Sequence, residues 1–132
     1  MFYRKLLITV ILALISTGAM AEWVGVNGDE NQALYVNVAV IRNAGDMVKI
    51  WSLLDYKTEQ IAKIGEYEFL SRSLKTEYDC KEQKGRYLVE TKYSGNMGHG
   101  KVVYNNDNIR QWFPVVPDSK DSILWKIACG KQ

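Results

Sequence analysis

The stretch Arg72-Ser-Leu-Lys-Thr-Glu-Tyr-Asp-Cys80 alternates without a break. Leu74, Thr76, Tyr78 and Cys80 fall on one side of an extended chain, and Ser73, Lys75, Glu77 and Asp79 on the other. A period of two over nine residues defines a strand with one face turned to a core. Working outward, Lys84-Gly85 marks a turn into a second strand, Arg86 to Tyr93. Upstream, Met47 to Tyr56 carries the same pattern, and Leu34 to Ile41 is rich in the valine and aromatic residues that strands favour. Asn43-Ala44-Gly45-Asp46 separates these two, and Asn27-Gly28-Asp29 closes the short apolar run Trp23 to Val26. Connections this short make an antiparallel meander.

The segment Lys57 to Leu70 is charged at first and then carries Ile61, Ile64, Tyr67 and Phe69 around Gly65. It reads as a mobile excursion whose end joins the next strand. After Tyr93 a glycine-rich link, Gly95 to Gly100, leads to a short strand, Lys101 to Tyr104. Pro114 and Pro117 keep the following backbone out of a sheet interior. Asp118 or Ser119 then caps a helix, Asp121 suits its first turn and Gly130 its end, with Ile123, Leu124, Ile127 and Ala128 on one face. The fold class is mainly β (α+β): an antiparallel sheet of about six strands with one C-terminal helix packed on it. The helix is too short to stand alone, so packing must hold it.

The N-terminus reads as an address. Arg4 and Lys5 precede the apolar run Leu6 to Ile15, and Ala19-Met20-Ala21 offers a signal peptidase small residues at the required spacing. The apolar core is about ten residues, half of the roughly 20 that span a membrane. No cysteine stands near the site to accept a lipid. Residues 1–21 are therefore expected to be a cleaved signal peptide and residues 22–132 one domain. Removing a 21-residue leader from 132 leaves 111 residues, enough for one core and too few for two. Without Arg4 and Lys5, the 17 basic residues of the chain fall into balance with its 15 acidic ones. A nucleic-acid partner calls for a basic total and is not expected. Nor is a stable membrane span after cleavage.

Cys80 and Cys129 are the two cysteines, 49 positions apart. In an exported chain an isolated pair most often forms a disulfide. Such a loop is credited with about 4 kcal/mol by the chain-entropy model. The competing reading, a reactive thiol or metal ligands, finds no CxxC and a single histidine, His99.

Catalytic and cofactor chemistry finds little to stand on. His99 lies between Gly98 and Gly100, a flexible setting for a base, and no serine sits in a nucleophile elbow. The cluster Gly95-Asn96-Met97-Gly98-His99-Gly100 matches neither phosphate-loop spacing, which leaves a tight turn. Glu77 with Asp79, and Glu66 with Glu68, are paired carboxylates at strand spacing, read as a solvated face with lysine partners across the strands. No group has metal-ligand spacing. The expectation is no catalytic, cofactor or metal site.

What remains is aromatic content, 4 Trp and 8 Tyr. Trp51 and Trp125 are expected mainly in the core; Trp23 and Trp112, near element ends, are expected to be partly exposed. Exposed aromatics serve protein interfaces.

Several strings together resemble the surface-adhesin protein E family of Gram-negative bacteria. They are Trp51-Ser-Leu-Leu-Asp55-Tyr56, Glu77-Tyr78-Asp79-Cys80 with Arg86, Tyr93-Ser94-Gly95-x-Met97-Gly98-x-Gly100, Trp112-x-Pro114-Val115-x-Pro117, and Leu124-Trp125-Lys126-Ile127-Ala128-Cys129. The likeness runs in order through nearly the whole domain. One departure is Asp118, where the family commonly has glycine. The resemblance implies an antiparallel sheet covered on one side by the C-terminal helix. It also implies an envelope protein, of the periplasm or outer cell surface, whose relatives adhere to host cells and matrix proteins. The expected function is therefore a binding module for a host matrix or envelope protein. The Lys57 to Leu70 segment and the Gly95 to Gly100 loop are its candidate contacts, and a periplasmic inhibitor or envelope-stress binding protein is the alternative.

Overall fold

The computed structural model describes residues 22–130. The expected leader and its cleavage point lie outside them. Among the described residues seven strands form one antiparallel sheet: β1 (Val24–Gly28), β2 (Gln32–Ala44), β3 (Met47–Ile61), β4 (Glu68–Asp79), β5 (Lys84–Tyr93), β6 (Val102–Asn106) and β7 (Phe113–Pro114). β1 to β6 neighbour each other in chain order, and β7 adds to β5 beyond the end of β6. The one helix among the described residues, α1 (Lys120–Cys129), follows.

Local chemistry sets the turns. Ala44 pairs with Met47 across a two-residue link in which Gly45 takes φ +65°, a conformation that costs glycine little. Between β4 and β5, Asp79 Oδ1 accepts the backbone N–H groups of Lys81 and Glu82, both at 3.0 Å, an Asx turn. Ser119 caps α1 by accepting the Ser122 N–H at 3.1 Å, and Gly130 ends the helix in the left-handed region. Asp118 also stands left-handed, at φ +62°. The glycine common in the family suits that backbone, and aspartate is among the few residues that tolerate it.

The core lies between the sheet and α1. Leu34, Val36, Ile50, Leu54, Tyr78, Leu124 and Trp125 pack into one cluster. The Trp125 indole donates to the Asp79 carbonyl at 3.0 Å. The Cys80–Cys129 disulfide, with Cα atoms 5.6 Å apart, ties the last turn of the helix to the end of β4. Leu74, Thr76 and Tyr78 face the helix side, as their alternation requires.

The segment 57–70 is no excursion. β3 continues to Ile61, β4 starts at Glu68, and the two close a hairpin in which Gln60 and Ile61 pair with Phe69 and Glu68. A break in register after Asp55 absorbs the exposed Lys57, Thr58 and Glu59. Aromatic packing holds the ribbon in place. Tyr67 stacks on Tyr104 at 5.9 Å and Phe69 meets Tyr56 edge-on at 5.8 Å, while the Lys92 ammonium sits 4.8 Å from the Phe69 ring.

Candidate binding face

The helix side of the sheet carries a polar cluster under the first turn of α1. Tyr78 donates to Asp121 Oδ1 at 2.6 Å and Tyr87 to Oδ2 at 2.9 Å. Lys120 Nζ donates to the Tyr87 oxygen at 3.2 Å and lies 3.5 Å from Asp121. Beside it, Glu90 faces Arg72 and Arg110, each at 3.3 Å. Burial, with the Asp121 charge second, pushes both phenols far above their ordinary range, and burial lowers the Lys120 ammonium. The cluster is a latch that fixes the start of the helix.

Among the described residues no α-helix covers the other side of the sheet. There Trp23, Trp51, Leu53, Tyr93 and Met97, with Asn37 and Ser73, line an open groove of about 310 Å³. Strand register explains the grouping: Asn37 pairs with Trp51, and Leu53 with Ser73. Ser73 Oγ lies 3.4 Å from the Tyr93 hydroxyl.

One wall comes from the Gly95–Gly100 loop, and its conformation is fixed by the sheet. Asp55 Oδ1 accepts the Met97 N–H at 2.7 Å and the Asn96 amide at 3.1 Å. Ser71 Oγ donates to the Gly95 carbonyl at 2.7 Å and accepts the Gly98 N–H at 2.9 Å. A short 3-10 turn, Asn96–Gly98, results, with Met97 at φ +56°. A loop backbone held this way meets a ligand with little further loss of freedom.

Toward the opposite end of the same face the surface becomes basic. Lys75 Nζ lies 5.9 Å from the Trp51 ring centroid. Lys84 and Arg86 lie 5.1 and 4.4 Å from that of Trp112. Arg86 also holds Glu77 Oε1 through Nε and Nη2, both at 2.8 Å.

Two expectations are corrected here. Trp51 is not core: it occupies the strand position between Ile50 and Ser52, which point to the helix, and is half-buried on the helix-free side. Glu77 and Asp79 are not solvated, at 9% and 5% exposure. The Arg86 guanidinium and the turn N–H groups replace water around them, and neither makes an ion pair with a lysine. Glu66 sits in the β3–β4 turn, and the carboxylate that meets Glu68 is Glu59, whose pKa is raised by that hydrogen bond. Both are exposed. His99 is exposed in its loop. Of the two candidate contact segments, the loop reaches the groove. The 57–70 hairpin instead lines a separate cavity with Lys92 and Tyr104.

A single sheet locked to a terminal helix by a disulfide, with an aromatic groove on its other face, defines the class of domain. Residues 23–130 match the family described as Surface-adhesin protein E, and the chain belongs to that family. Among solved structures it is similar to Haemophilus influenzae protein E, with a TM-score of 0.63 at 12% identity over 86% of this chain and 88% of that one. A second crystal form of that protein gives 0.65 at 12%, covering 86% and 91%. Protein E from non-typeable Haemophilus influenzae gives 0.60 at 12%, covering 80% and 75%. At such identity the likeness is one of fold. No curated protein matches the chain by sequence.

Proposed function

We propose that this protein is an exported adhesin that engages a protein of the host cell surface or matrix through the helix-free face. Its family supports adhesion, and the N-terminal pattern ending at Ala21 supports export with Glu22 as the first mature residue. The observation that carries the choice of face is the groove of Trp23, Trp51, Leu53, Tyr93 and Met97, braced by Asp55 and Ser71. Partly exposed tryptophan and tyrosine in a concave, rigid setting are what concentrate binding energy at interfaces.

Titration of the mature domain against immobilised decellularised matrix tests this. Trp51→Ala should weaken binding at least tenfold, while Lys126→Ala, on the exposed side of α1, leaves it unchanged. Equal binding by wild type and Trp51→Ala, with the fold intact by circular dichroism, would overturn the assignment.

A further inference from the structure

We infer that the helix-free face takes a sulfated polysaccharide chain borne by a protein of the host matrix, the groove holding a sugar ring and the basic end its sulfates. This rests on the reading of that face as the docking surface and names the chemistry of what docks.

Charge is the first argument. Lys49, Lys75, Lys84 and Arg86 occupy the strand positions pointing away from the helix. The acidic side chains on the same rows, Glu77 and Asp79, are already engaged by Arg86 and by turn N–H groups. Among the described residues no ion pair involves Lys49, Lys75 or Lys84. From Trp51 to Lys84 is two rows along and two strands across, about 15 Å from sheet spacings. Several anionic groups on one chain fit that span. With Arg86 paired to Glu77, Lys49, Lys75 and Lys84 outnumber Asp79, the one other carboxylate on these rows, so that end of the face is net positive.

The aromatics argue for sugar over acidic peptide. In β2 to β5 the sheet's hydrogen-bonding groups run in its plane and are largely spent on neighbouring strands. A peptide lying on the face would find few backbone partners, unlike one adding to a free edge. A pyranose needs none. Its C–H face stacks on the electron-rich face of a ring such as Trp51, and its hydroxyls have the half-buried Tyr93 hydroxyl and the lysines beyond it as partners. The groove, about 310 Å³, is at the small end of ligand sites, which suits a ring or two of a longer chain.

The test titrates the mature chain with a heparin-derived hexasaccharide, its desulfated counterpart and a poly-glutamate peptide, following tryptophan fluorescence at several salt concentrations. The sulfated sugar should bind, weakening as salt screens the lysines. The triple variant Lys49→Gln, Lys75→Gln, Lys84→Gln should lose at least tenfold and show a flatter salt dependence. Trp51→Leu should lose severalfold with the salt dependence unchanged. No binding of the sulfated sugar, equal binding of poly-glutamate, or a triple variant like wild type would overturn the inference. Matrix stripped of glycosaminoglycan separates the two readings. Retained binding that still depends on Trp51 sinks the saccharide and spares the protein-docking face, while binding that no longer needs Trp51 sinks both.

Discussion

A Cβ added at Gly85 would lie 2.8 Å from the Tyr78 ring and 3.1 Å from Phe113. Both rings are held, one by Asp121 and one against Tyr87 at 5.0 Å, so neither can yield cheaply. Gly85→Ala should therefore destabilise the domain by about 1–3 kcal/mol, measured by chemical denaturation. Tyr78 itself links stability to pH. Its folded pKa is raised far above the unfolded value of 10, so its contribution is complete below pH 10 and is lost as pH rises beyond it. Stability should fall there by up to about 1.4 kcal/mol per pH unit for Tyr78, and by less for Tyr87, which solvent partly screens. The lowered Lys120 acts with opposite sign and only below its ordinary 10.5, where stability rises with pH. Tyr78→Phe should flatten the alkaline slope in denaturation curves and cost about 1–3 kcal/mol at neutral pH by removing a donor from Asp121.

At the scale of elements, α1 depends on what surrounds it. Ten residues are too few for an autonomous helix, and its anchors are the Ser119 cap, the Asp121 latch, the Leu124 and Trp125 core contacts and the disulfide. Ser119→Ala should cost about 1 kcal/mol. Replacing both cysteines by serine should cost about 4 kcal/mol, with α1 amides becoming the first to exchange in hydrogen-exchange measurements. The cap, the C-terminal glycine and the two cysteines were legible in sequence because each is local or unique; the Asp121 latch was not, because Tyr78 and Tyr87 lie 43 and 34 positions away. β4 was legible because nine residues alternate cleanly. The β3–β4 hairpin was not, because its charged residues coincide with the register break and its support comes from Tyr104 and Lys92, distant in sequence.

For the whole molecule, the division into a helix-covered face and an open one decides what the protein can bind. That division was only half visible in the sequence. Alternation puts Trp51 opposite Ile50, but only the position of the helix shows which of the two sides is covered. Met97 and Leu53 gave no signal of their own; the glycine spacing around Met97 marked the loop without showing where it folds. N-terminal sequencing of the exported protein should return Glu22 first. Hydroxyl-radical footprinting of the domain, free and bound to decellularised matrix, tests the central claim most directly, since tryptophan, tyrosine and methionine react fastest. Protection at Trp23, Trp51 and Met97, with the exposed side of α1 labelled as before, is the expected result. Unchanged labelling of those three, with protection on α1 instead, would contradict it.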